Sequence, residues 1–265
     1  MTGPHQLLQG RTAVVTGAGR GIGLTVAHRY AAQGATVVLA DIDADAVGAA
    51  AREVTQASGV QAHAAAVDVT DEHSVAALAR QAVEACGRVD VLVANAGILL
   101  QAPAVDTGAD AWRRMLDVNL TGTFLTCREF GRLLIGQGGG GRVILSSSLF
   151  GVRGGRDNAA YSATKFGMIG LAQCLAAEWA PHGITVNSVC PGQVDTTMMR
   201  QLFADRAALR GTSESVVEGE MVSRIPIGRL AAPEEIADVY VYLASELSRY
   251  VTAQSMVVDG GWQVG

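Results

Sequence analysis

Charge is scarce in this chain. Of its 265 residues 17% are charged and the net charge is −5, so there is no basic footprint for nucleic acid or for an anionic membrane surface. Cysteine is scarcer still: Cys86, Cys127, Cys174 and Cys190 are scattered with no Cys-x-x-Cys spacing, which implies no disulfide framework and suits reduced thiols in a cytoplasmic protein. The histidines, His5, His28, His63, His73 and His182, make no metal-ligand pattern such as His-Glu-x-x-His. Surface or packing roles are their default, no metal is expected, and a zinc dehydrogenase is disfavoured. Residues 1–10 lack the apolar core of a signal peptide, and no run approaches the length that spans a bilayer. With no internal repeat and no linker, residues 1–265 are read as one domain, for whose core 49% hydrophobic residues are ample.

What is present is an alternation. Residues 11–16, 35–40, 61–69, 89–94, 142–147, 184–189 and 255–259 read as strands between helical stretches, which argues for an α/β fold with a doubly wound parallel sheet in three layers. Residues 24–33, 111–134 and 160–180 are among the helices. Residues 136–141 hold five glycines in six positions; they read as a flexible surface turn rather than a second phosphate loop, because no helix follows directly.

Directly after the first strand comes Gly17-Ala18-Gly19-Arg20-Gly21-Ile22-Gly23, and a helix follows it. Strand, glycine turn and helix N-terminus make a phosphate site, since missing Cβ atoms admit an anion to backbone N–H groups and the helix dipole favours it. Asp41 closes the second strand, about 20 positions on, where a carboxylate can accept hydrogen bonds from an adenosine ribose.

Tyr161-Ser162-Ala163-Thr164-Lys165 places a phenol and an ammonium four residues apart, on one helix face. Bringing a phenol from a pKa of about 10 to about 7 needs roughly 4 kcal/mol of preferential phenolate stabilisation. One ammonium at about 4 Å in an effective dielectric of about 20 supplies about 4 kcal/mol before the cost of desolvation. By itself the spacing also suits a surface tyrosine beside a solvated lysine.

Thr16-Gly17-x-x-x-Gly21-x-Gly23, Asn95-Ala96-Gly97, Ser148, Tyr161-x-x-x-Lys165 and Pro191-Gly192, in that order over essentially the whole chain, resemble the short-chain dehydrogenase/reductase family. The one departure is Ala94, where the family often carries a second Asn. The resemblance implies a Rossmann-type sheet, a nicotinamide cofactor and a catalytic tetrad of Asn119, Ser148, Tyr161 and Lys165. In it Tyr161 is the general acid/base and Ser148 holds the substrate oxygen. Lys165 lowers the phenol pKa and binds the nicotinamide ribose, and Asn119 holds a water in a proton relay through Lys165. Asp68 and Val69 would flank the adenine, although Asp68 could equally cap the helix that starts near Asp71. Asn95, Ala96 and Gly97 would face the cofactor ribose, or be merely a turn. Pro191, Gly192, Val194 and Thr196 would hold the nicotinamide carboxamide, against the plain reading of a Pro-Gly turn. Asn119, inside a helical stretch, could also be an ordinary satisfied amide.

Residues 198–224 mix apolar Met198, Met199, Leu202, Phe203 and Leu209 with charge. In the family such a stretch is a substrate lid; it reads equally as a helix pair on the surface. The substrate expected is a small secondary alcohol or ketone, a polyol or a sugar. An NADP-linked 3-oxoacyl thioester reductase is the alternative, and a catalytically silent nucleotide-sensing scaffold is disfavoured by the joint presence of Ser148, Tyr161 and Lys165. NAD is expected over NADP because Asp41, Asp43 and Asp45 repel a 2′-phosphate, although Arg20 pulls the other way. A homo-oligomer, a tetramer by resemblance, is expected from the apolar excess on two helices (Phe124, Leu125, Leu133, Leu134; Met168, Leu171, Leu175), deeper burial within one subunit being the rival explanation.

Overall fold

Seven apolar runs become strands because a parallel sheet covered on both faces accepts residues that are apolar on both sides. The computed structural model describes residues 6–264, with Leu209 by its backbone alone; His5 and the first half of the 1–10 segment lie outside the described residues. The strands are β1 (Thr12–Thr16), β2 (Thr36–Asp41), β3 (Ala62–Ala66), β4 (Val91–Ala94), β5 (Gly141–Ser146), β6 (Ile184–Pro191) and β7 (Ser255–Val258). They form one sheet in the order β3-β2-β1-β4-β5-β6-β7, and every pair is parallel. β1, β4, β5 and β6 are buried throughout.

The helices are α1 (Gly21–Ala32), α2 (Ala44–Ser58), α3 (Glu72–Cys86), α4 (Ala109–Leu116), α5 (Gly122–Gln137), α6 (Ala159–Trp179), α7 (Thr197–Arg210), α8 (Glu214–Val222) and α9 (Pro233–Ala244). One core cluster lies under α1, α2 and α9, another under α3, α5 and α6. This is the three-layered, doubly wound architecture of a Rossmann-type domain. The strand order reverses between β1 and β4, and such a switch point opens a crevice at the strands' carboxyl ends. The glycine turn after β1 and Asn95 after β4 both lie there.

Several boundaries depart from the sequence reading, each for a local reason. Helix α1 begins at Gly21 instead of residue 24, so Gly21 and Gly23 belong to its first turn. The strand expected over 61–69 ends at Ala66, because the Asp68 carboxylate folds back onto the N–H and hydroxyl of Thr70 at 2.9 and 2.7 Å. β7 ends one residue early, at Val258, since the Asp259 carboxylate closes a turn by accepting from the N–H groups of Gly261 and Gln263. β6 runs on to Pro191, past the end of its pairing with β5 at Val189, where a missing N–H costs no ladder bond. The glycine-rich stretch is tighter than expected. α5 continues through Gln137, whose amide bonds Val89 in both directions, and within 136–141 only Gly138, Gly139 and Gly140 turn with positive φ.

The helix expected over 111–134 is broken. Residues Asp117–Thr121 form a π-turn between α4 and α5, and Asn119 sits in it.

Candidate active site

The cofactor side is built first by glycines. Gly17 has φ +64°, and a Cβ there would lie 2.8 Å from Ala96 Cα; a Cβ on Gly23 would strike the Gly17 carbonyl oxygen and come 2.6 Å from Asn95 Nδ2. Asn95 explains the crowding: its amide donates to the carbonyls of Thr16 and Gly17 at 3.0 and 3.1 Å. The N–H groups of Asn95 and Ala96 donate to Thr16 Oγ1. Asn95-Ala96-Gly97 is therefore a clasp joining β4 to the glycine turn. Thr16, which the motif alone left without a role, is its centre.

Helix α1 has no side-chain cap at Arg20 and no acid in its first turn, so its leading N–H groups face outward without a competing anion, while a Cβ on Gly21 would meet only open space. Asp41 accepts from Gly19 N–H at 3.0 Å and from Asp43 N–H at 3.2 Å. A carboxylate offers about four acceptor directions, so two remain for hydroxyl groups. Arg20 is exposed. A cradle of backbone donors beside a carboxylate fits a dinucleotide.

Asp68 and Val69 follow the end of β3. Asp71, not Asp68, caps α3, accepting from His73 N–H; Asp68 instead shapes the turn through Thr70 and Ser74. Val69 is buried, and a Cβ on Gly122 would come within 2.8 Å of its side chain. On the far side of the crevice, a Cβ on Gly192 would lie 2.7 Å from Asp259. Val194 bridges to Ala231, and the Thr196 hydroxyl caps α7 by accepting from Met199 N–H at 3.3 Å.

The catalytic side is a buried floor at the ends of β5 and β6. Lys165 is 4% exposed and its Nζ donates to the Ser146 carbonyl at 2.7 Å. The same Nζ lies 5.5 Å from the Tyr161 ring centroid. Burial lowers the Lys165 pKa to about 8. Tyr161 is half-buried at the start of α6, edge-on to Phe150 with centroids 6.5 Å apart. Its phenol is held above the usual range, first by burial, with a hydrogen bond to Ser148 acting in the opposite direction. In the protein alone the sign is thus the reverse of the expected depression by Lys165, because the ammonium is turned toward a backbone carbonyl and desolvation dominates. Ser148 has an extended backbone and its Oγ accepts from Phe150 N–H at 3.1 Å.

Asn119 is fully buried. Its Oδ1 accepts from Ile98 N–H at 2.8 Å, and its Nδ2 donates to the Ile98 carbonyl at 2.9 Å. The side chain thus clamps the loop after β4, and its backbone carbonyl accepts from Thr123 Oγ1 at 2.7 Å. A Cβ on Gly97 would meet Asn119 Oδ1 at 3.2 Å and Lys165 Nζ at 3.7 Å. A side chain at position 97 would press on Asn119 Oδ1 and sit against Lys165 Nζ. The π-turn supplies the inward aim, as such turns often do at functional sites.

Two contacts and one count escaped the sequence reading. Ser147 Oγ donates to the Lys165 carbonyl at 2.9 Å. Ser146 Oγ and Tyr240 OH are 2.7 Å apart, tying α9 to the residue that anchors the lysine. The third is a matter of counting: Lys165 is the only lysine among the 20 basic residues. That was visible in composition.

A family model described as Enoyl-(Acyl carrier protein) reductase matches residues 17–263. A short-chain dehydrogenase/reductase of Armillaria gallica is 40% identical over 254 residues, 96% of each chain. The cis-4-hydroxycyclohexanecarboxylate dehydrogenase of Sinomonas cyclohexanicum is 40% identical over 255 residues, 95% of this chain and 96% of its own. Among solved structures, a putative NAD(P)-dependent gluconate 5-dehydrogenase of Beutenbergia cavernae, with bound NADP, superposes with a TM-score of 0.89 at 40% identity, covering 99% of this chain and 100% of the other. The chain belongs to the short-chain dehydrogenase/reductase family, NAD(P)-dependent oxidoreductases that act on alcohol groups.

Proposed function

We propose that this protein interconverts a small secondary alcohol and its ketone with NAD as the preferred cofactor. The observation that carries the reading is the meeting of Ser148, Tyr161 and Lys165 on one floor beside the glycine cradle. A nicotinamide bound there supplies the hydride acceptor for oxidation and the donor for reduction. Tyr161 takes the hydroxyl proton as phenolate in oxidation and returns it in reduction. Ser148 Oγ holds the substrate oxygen; among the described residues nothing beside it resembles the His and acid that would make it a nucleophile. Lys165 binds the nicotinamide ribose, and the Asn119 turn supports the relay to solvent.

Asp41 supports NAD over NADP, since its free acceptor directions suit ribose hydroxyls while a 2′-phosphate meets like charge. Arg20, exposed at the start of α1, supports the second reading, an NADP-linked reductase of 3-oxoacyl thioesters. Helices α7 and α8 are proposed as the lid, and a tetramer as the assembly. Leu134, Met168 and Leu175 belong to the subunit's own core, but Phe124 and Phe166 are 42% and 47% exposed on α5 and α6. Among the described residues no helix is long and apolar enough to cross a membrane; a cytoplasmic location is part of the proposal.

A panel of secondary alcohols and ketones, followed by the absorbance of reduced nicotinamide with NAD and with NADP, tests the reading. Turnover of secondary alcohols favouring NAD supports it. Turnover confined to acyl thioesters, or none at all, overturns it.

A further inference from the structure

The lid carries three arginines on α7, and two are neutralised. Arg200 pairs with Asp195 at 2.7 Å and Glu218 at 2.9 Å, and Arg210 grips Glu220 through both nitrogens at 2.7 Å. Arg206 has no such partner: among the described residues it makes no ion pair. Its Nη2 donates to Gln101 Oε1 at 3.3 Å, one bond for a fork of five N–H donors. Yet it is half-buried, and burial lowers its pKa, with Asp157 acting against that and Arg210 and Arg224 adding to it. A partly desolvated cation without a counter-ion is unfavourable unless something else completes it.

Its position says what that is. Gln101 lies four residues beyond Gly97, and its Nε2 donates to Asn158 Oδ1 at 2.9 Å. Asn158 precedes the first turn of α6, three residues before Tyr161. Arg206 therefore connects the lid to the loop and helix end that bound the catalytic floor. We infer that Arg206 is a specificity-determining residue that receives the carboxylate of a hydroxy-acid or keto-acid substrate. A single guanidinium matches a single negative charge, and its planar fork suits a carboxylate. The inference rests on the secondary-alcohol reading and narrows it to substrates bearing a carboxylate away from the carbinol.

The rival occupant is Asp157, which lies 4.0 Å from Arg156 and would have to leave it to latch onto Arg206. Calorimetry on the NAD-loaded protein separates these, with cyclohexanecarboxylate and cyclohexanecarboxamide as probes. The carboxylate should bind about 10- to 100-fold more tightly than the amide, the range of a charge-assisted hydrogen-bonded pair. Arg206→Gln should remove the preference and Arg206→Lys keep part of it, while Asp157→Asn should leave it in place. Equal binding of the two probes by the unmodified protein, no binding of the carboxylate, or an unchanged preference in Arg206→Gln overturns the inference. A matched turnover panel keeps the two readings apart. Neutral secondary alcohols oxidised as well as hydroxy acids would remove the inference alone; carboxylate selectivity without turnover of any alcohol would remove the dehydrogenase reading and with it the substrate role, leaving Arg206 only a carboxylate-binding residue.

Discussion

The catalytic floor and the lid are held together by different forces. In the floor, Lys165, Ser146, Ser147, Asn119 and Tyr240 are each less than a tenth exposed and bonded to partners distant in sequence. Leaving one such buried partner unmatched costs about 1–3 kcal/mol. The lid encloses a small cluster of its own, with Phe203, Ala207, Val217 and Met221 inside, and is laced by exposed ion pairs such as Arg200–Glu218 and Arg210–Glu220. Exposed pairs contribute only about 0–1 kcal/mol each. On the proposed reading the floor holds one proton-transfer group in place, and α7 and α8 form a looser cover over it.

The sharpest way to break that division is Tyr161→Phe. Removing one hydroxyl from a ring that still packs on Phe150 should lower turnover at least about 10²-fold while dinucleotide binding, read by fluorescence quenching, stays within a few-fold. Wild-type turnover in this variant refutes the assignment. Because burial holds the Tyr161 phenol above its usual range, the phenolate fraction grows with pH. Alcohol oxidation should therefore accelerate toward alkaline pH, up to about tenfold per unit below that pKa. A rate independent of pH from about 6 to about 10 would show that the phenol is not the base.

The cofactor side should respond through selectivity. Asp41→Ala should shift the ratio of kcat/KM with NADP to that with NAD by about tenfold or more, as removal of a repulsive element does. An unmodified protein already preferring NADP would contradict the assignment.

Two variants probe floor and lid separately. Phe203→Ala empties the lid's cluster and should raise KM several-fold with little change in kcat. Tyr240→Phe, by orphaning Ser146 Oγ, should lower kcat several-fold with KM nearly unchanged. Steady-state kinetics on both variants, with melting curves as controls, checks this. The same kinetic pattern in the two variants would mean that floor and lid are not distinct.

The floor was more legible in sequence than the lid, for a physical reason. Tyr161 and Lys165 are neighbours on a helix by periodicity alone, and the glycine turn announces itself between a strand and a helix. The π-turn at Asn119 was hidden because 3.6-residue periodicity does not register one added residue. The direction of the Tyr161 shift was hidden because it depends on burial and on where Lys165 points. Ser146 and Tyr240 are 94 residues apart, a pairing that no local pattern encodes. In the lid, Arg200 and Arg206 look alike in sequence; only the fold gives one its carboxylates and, among the described residues, the other none.

Burial governs protonation in the floor. With its pKa lowered from the ordinary lysine value to about 8, Lys165 binds fewer protons in the folded chain than in the unfolded one across the window from about 8 up to the ordinary value of about 10.4. Its unfavourable contribution is fully present below that window and fades as pH rises through it. Since the chain has one lysine, protein labelled with 13C at lysine Cε gives a single resonance, and its titration reports this group alone. A midpoint near 8 is expected in the folded protein. A midpoint at the ordinary value of about 10.4 would contradict it.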